Sequence, residues 1–143
     1  MSIAAQMLAG LVTVLWAMQP AEATSLQQRC AKVSHSKNYQ AASQACLNAA
    51  FEVENQAEHG TAHQRAMLLA QAALDREAAA FGDIHMKNRR SDSAAEDEMQ
   101  SAHSAVNQAL SMDPGNKYIK QVRQRIYAFE AQVRSTVLKR GGP

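Results

Sequence analysis

Apolar residues in this chain follow two patterns, one near-continuous run close to the N-terminus and then spacings of three and four through the rest. The clearest spacing lies near the C-terminus, where Ile119, Val122, Ile126, Phe129, Val133 and Val137 fall on one face of a helix while Lys117, Lys120, Arg123 and Arg134 point away. Turn and cap signals divide the chain into five helices. Thr24 and Ser25 cap the first, which runs to about His35 before the polar Ser34–Asn38 turn. The second spans Tyr39 to about Ala57 and is ended by Gly60. Thr61-x-x-Gln64 opens a third that runs to Phe81, with Gly82 to Asp92 read as a long loop. Ser93-x-x-Glu96 has the spacing of a capping box and places Glu96, Asp97 and Glu98 in the first turn of a fourth helix. That helix stops at Asp113-Pro114-Gly115, and Asn116 caps a fifth that continues to Arg140, leaving residues 141–143 as a tail. No segment alternates polar and apolar residues with β-branched enrichment, so the expected fold is all-α, with five antiparallel helices.

The apolar run, Ile3 to Met18, is followed by Ala21-Glu22-Ala23, whose small residues fit a signal peptidase pocket. Residues 1–23 therefore read as a secretory leader and Thr24 as the first mature residue, although no Lys or Arg precedes the apolar run. An uncleaved anchor is the alternative, but sixteen residues interrupted by Gln6 fall short of the ~20 that span a bilayer. A membrane association is expected only through an uncleaved leader. The chain after the leader, 24–140, is of a length for one domain. Its 28 alanines over the whole sequence, against nine Gly and Pro together, favour closely packed helices.

Charge is uneven. From Thr24 to Asn116 eight Lys and Arg face eleven Asp and Glu, whereas Lys117 to Pro143 has seven basic residues and Glu130 alone. Lys117, Lys120, Arg123 and Arg134 are thus a candidate surface for an acidic protein or peptide, with Lys87, Arg89 and Arg90 as a possible extension. The competing reading is that these charges are the wet side of a helix whose apolar stripe caps its neighbours. Nucleic acid fits poorly with export and with the absence of interleaved aromatics.

Two cysteines in an exported chain point to a disulfide. Cys30 and Cys46 lie seven to nine residues either side of a turn near Lys37, which brings them to similar heights on adjacent helices. Free buried thiols or a redox pair are the alternatives, and C-x-x-C spacing is absent. His59-x-x-x-His63 has metal-ligand spacing, but Gly60 and Thr61 between them mark a helix boundary; His85-Met86 is an isolated pair. No cofactor and no metal are expected. No nucleophile elbow, zinc-protease motif or phosphate loop occurs, so an enzyme is not expected either.

Two segments share one spacing, Tyr39-x-x-Ala42-x-x-x-Cys46-x-x-Ala49 and Met99-x-x-Ala102-x-x-x-Val106-x-x-Ala109, the second continuing to Asp113-Pro114-x-Asn116. These residues resemble the second helix of the tetratricopeptide repeat. Leu26, Cys30 and Val33 occupy first-helix places of one unit, and Ala66, Leu69, Ala70 and Ala73 those of another. The sequence departs from the repeat at Arg29, in a usually apolar place, in lacking Pro after Ala49, and in about twenty extra residues in the second unit. The resemblance implies two imperfect helical units with a capping helix; together with the leader and the lack of a catalytic motif, the expected function is an exported, non-enzymatic module that binds a protein or peptide as an adaptor or assembly helper in a bacterial envelope. A small periplasmic metal or ligand carrier, and a purely structural helical subunit, are the alternative functions; the oligomeric state stays open.

Overall fold

In the computed structural model the described residues are 21–141, and all their regular structure is α-helix. The five helices are α1 (Ala21–Val33), α2 (Tyr39–Gln56), α3 (Ala62–His85), α4 (Arg89–Met112) and α5 (Lys117–Lys139). The apolar run Ile3 to Met18 and the last two residues of the expected tail lie outside the described residues. None of the described helices is long and apolar enough to cross a membrane.

Helix α1 already runs from Ala21, so Thr24 and Ser25 lie within it and are not its cap. The starts of α2 to α5 are each fixed by a side chain that replaces a missing intrahelical acceptor. Asn38 accepts from the Ala41 N–H, and Asn116, expected as a cap, accepts from the Ile119 N–H. Thr61 and Gln64 form the expected reciprocal box, the hydroxyl accepting from the Gln64 N–H and the Gln64 Oε1 from the Thr61 N–H. Helix α1 ends two residues before the expected boundary. There the Ser34 and Ser36 hydroxyls donate to the Ala31 and Val33 carbonyls, holding the chain in a turn.

The segment from Gly82 to Asp92, expected as a long loop, is mostly helical. Helix α3 continues through Gly82 to His85, and α4 begins at Arg89, leaving only Met86, Lys87 and Asn88 between them. Gly82 is not a stop but a contact point: a Cβ there would lie 2.7 Å from the Tyr39 carbonyl oxygen and 3.1 Å from the Ser43 nitrogen. The turn is made by Lys87 at φ 56°, and Asn88 caps α4 by accepting from the Ser91 N–H. Ser93 is therefore not the cap, and Glu96, Asp97 and Glu98 sit beyond the first turn.

Short connections make consecutive helices antiparallel neighbours, and α5 packs on both α3 and α4. Alanines at three and four let the backbones approach. Ala42, Cys46 and Ala49 of one repeated segment are buried, as are Met99, Ala102, Val106 and Ala109 of the other, and so are Ala66, Leu69, Ala70 and Ala73 of α3. On α5, Ile119, Val122, Ile126, Val133 and Val137 enter the core, whereas Phe129 is only half-buried at its edge. Two long-range links tie the layers. Arg76 makes a bidentate pair with Glu54 and covers the Phe51 ring, and Arg140 donates to both the Ile84 carbonyl and Asp92, pinning the end of α5 to the α3–α4 junction.

Helix α1 is held separately. Cys30 and Cys46 form a disulfide with Cα atoms 4.5 Å apart, within a small cluster that includes Ala49 and Ala79.

Candidate functional site

The site is a groove of about 440 Å³ bounded by α1, α3 and α5. Its floor is one stripe of α3, Gln71, Leu74, Asp75, Ala78 and Phe81, whose spacings of three and four place them on a single face. Helix α1 supplies one wall through Gln27 and Ala31, continued by Ser34 just past its end and fixed in place by the neighbouring disulfide. Helix α5 supplies the other through Arg125, Phe129 and Gln132. A volume in this range, with apolar walls and a few convergent polar groups, is the usual form of a ligand pocket.

One side of the groove is polar and buried. Asp75 is 3% exposed, and its carboxylate accepts from the amides of Gln27, at 2.6 Å, and Gln71, at 2.9 Å. Gln71 also donates to Gln27 Oε1, so the three side chains form a closed cluster joining α1 to α3. Burial raises the Asp75 carboxyl to about 7; the two amide bonds oppose that rise and the charge of Glu54 adds to it. Farther along, Glu77 takes a pair of bonds from Arg125 Nε at 2.8 and 3.1 Å, bridging α3 to α5. Burial raises the Glu77 carboxyl too, against the pull of that guanidinium.

The opposite side is aromatic. Phe81, 42% exposed, lies 6.4 Å from Phe129 and 4.1 Å from the ring of His85, which in turn meets Tyr39 at 5.1 Å. His85 Nδ1 donates to the Phe81 carbonyl, so its ring is committed to this row. An open depression on another face, lined by Glu54, Glu58, Arg65, Arg76 and Asp97, is polar and already holds the Arg76–Glu54 pair.

The basic residues singled out in the sequence lie elsewhere on α5. Lys117 and Lys120 are exposed and form no ion pair among the described residues. Arg123 is half-buried, and Arg134 reaches Glu130 at 3.6 Å, the same carboxylate that accepts from His103. Their flank of the helix is opposite the one carrying Arg125, Phe129 and Gln132. Lys87, Arg89 and Arg90 are exposed around the α3–α4 turn. His63 bonds to Asp113, and among the described residues no group of three or more His, Cys, Asp or Glu is placed to hold a metal.

Sequence reasoning did not find the groove. Asp75, Arg76 and Glu77 are three consecutive charges interrupting an Ala- and Leu-rich helix, and that interruption is the signal that marks the polar part of its floor at Asp75. Phe129, expected in the core stripe from its spacing, is half-buried and forms a wall of the groove instead.

No family model, curated protein or solved structure matches the chain.

Proposed function

We propose that this chain is an exported, non-enzymatic helical module that binds a protein or peptide segment in the groove between α1, α3 and α5. The observation that carries the reading is the pairing of a half-exposed aromatic wall, Phe81 and Phe129, with a buried polar floor at Asp75 and Gln71. Such a slot offers apolar area and fixed hydrogen-bond acceptors to one extended ligand, the combination from which binding hot spots are built. Export is supported by the apolar leader with its Ala21-Glu22-Ala23 site and by the Cys30–Cys46 disulfide, a bond that persists in oxidising compartments. A tetratricopeptide-like arrangement is supported by the sequential packing of neighbours, α1 on α2, α2 on α3 and α3 on α4, with α5 covering α3 and α4.

A photo-cross-linking residue at Phe81, in the full chain expressed with its leader in a Gram-negative host, tests the assignment. It should trap a protein partner that the same residue at exposed Gln44 on α2 does not. Trapping from Gln44 and none from Phe81 would move the site off the groove.

The basic flank of α5 supports a second surface, for an acidic partner, because Lys117 and Lys120 are exposed and unpaired among the described residues.

A further inference from the structure

Asp75 is enclosed, yet its hydrogen bonds come from neutral amides alone. The two guanidiniums nearest in the sequence and the groove are engaged elsewhere, Arg125 by Glu77 and Arg76 by Glu54. Two amide donors leave part of the acceptor capacity of a carboxylate unused. Beside it, the Oε1 of Gln71 is buried without any hydrogen-bond partner. A buried carboxylate without a cation is costly, and an acceptor left unpaired adds to that cost. Both groups line the groove, and both are relieved by the same kind of ligand, one that brings a donor carrying positive charge. The flanking surface, Leu74, Ala78, Phe81 and Phe129, specifies what surrounds that donor: apolar side chains.

We propose that the groove takes an apolar peptide segment bearing one basic side chain, its cationic group seated on the Asp75 carboxylate and the Gln71 amide oxygen. The proposal rests on the groove being the binding site. It fixes the charge of the ligand, opposite to that expected for a partner of the basic flank. The seat also makes binding depend on pH, because Asp75 gains a proton near 7 and a neutral carboxyl attracts a cation far less. The other charged groups around it are Glu54 on α2, Glu77 and Arg76 on α3, Arg125 on α5 and His35 just past α1. His35, when protonated, would oppose a cation in the same direction, so the pH profile is taken in the His35→Gln variant as well.

The test uses the oxidised full chain and three short fluorescent peptides, identical in their leucine, alanine and phenylalanine residues and differing at the centre, which is lysine, norleucine or glutamate. Anisotropy titrations should rank lysine about tenfold tighter than norleucine, with glutamate weakest, as expected for a charge meeting a desolvated opposite charge. Asp75→Asn should bring lysine level with norleucine, and the lysine peptide alone should weaken between about pH 8 and pH 6. Should Asp75→Asn fail to fold, Gln71→Leu removes the other acceptor and should also narrow the lysine preference. Phe81→Ser, on the exposed wall, should weaken all three peptides alike. Equal binding of lysine and norleucine, or a lysine preference that survives Asp75→Asn, overturns the cation seat while a uniform loss in Phe81→Ser leaves the groove standing. If none of the three binds, or if Phe81→Ser changes nothing, the groove reading fails and the seat with it.

Discussion

Gly82 of α3 lies directly against the backbone of Tyr39, so close that a Cβ would stand 2.7 Å from the Tyr39 carbonyl oxygen. The start of α2 thus rests on the last turns of α3, and the row Tyr39, His85 and Phe81 that edges the groove depends on that approach. Alanine is the better helix former by about 1 kcal/mol. The contact is with backbone, however, and cannot be relieved by turning a side chain. Gly82→Ala should therefore destabilise the fold, by an overpacking cost of roughly 1–3 kcal/mol that outweighs the propensity gain. Denaturant unfolding of the two proteins gives the sign; a more stable variant would show that the helices are not in contact there.

The disulfide anchors the wall of the groove more than the core. Replacing Cys30 and Cys46 with serine should cost about 3 kcal/mol in the chain-entropy picture. Because α1 otherwise meets α3 through the Gln27–Asp75–Gln71 cluster, the loss should be local. Hydrogen exchange should show α1 amides opening first while α3, α4 and α5 keep their protection. Uniform loss of protection would contradict the separate attachment of α1.

Glu98 supplies a pH test of the interior. It is enclosed between α3 and α4, and burial, followed by its hydrogen bond to Asp83 and that residue's charge, raises its carboxyl to about 9. The folded protein then keeps a proton that the unfolded chain releases above its ordinary 4.5. Stability contributed by this group is full below that value and falls as pH rises toward 9. Asp75 adds a slope of the same sign between 3.8 and about 7. Glu98→Gln, which stays neutral and can still donate to Asp83, should flatten the decline in melting temperature on the alkaline side. An unchanged pH profile would mean that Glu98 ionises in the fold.

Packing and recognition separate on α5. Ile126 is fully buried, so Ile126→Ala should cost about 2–5 kcal/mol. Phe129 is half-buried and lines the groove, and Phe129→Ala should cost distinctly less. Thermal melts of both variants check the order, and a larger loss at Phe129 would place that ring in the core.

The helix count, the Thr61 and Asn116 caps, the Cys30–Cys46 bridge and most of the α5 stripe were legible because each rests on local spacing or a nearby cap. The Gly82–Asp92 segment misled for an equally physical reason. A glycine that ends a helix and one that admits a neighbouring backbone look alike in sequence, and only the Tyr39 contact tells them apart. The Ser93–Glu96 spacing imitated a cap, while Asn88, three residues before Ser91, supplied the real one. The groove stayed hidden because Gln27, Asp75 and Arg125 come from three helices far apart in the chain.

The central claim is that the partner lies in the groove and not on the basic flank, and the affinity of the partner trapped from Phe81 decides it. Binding is measured by titration with the wild type, Phe81→Ser and the double reversal Lys120→Glu with Arg123→Glu, each variant first shown by thermal melting to be folded at the temperature of the titration. The account predicts that Phe81→Ser weakens binding at least about tenfold, a hot-spot loss, while the charge reversal changes it little. A salt-sensitive loss in the reversal with Phe81→Ser unaffected would place recognition on the basic flank and contradict the account.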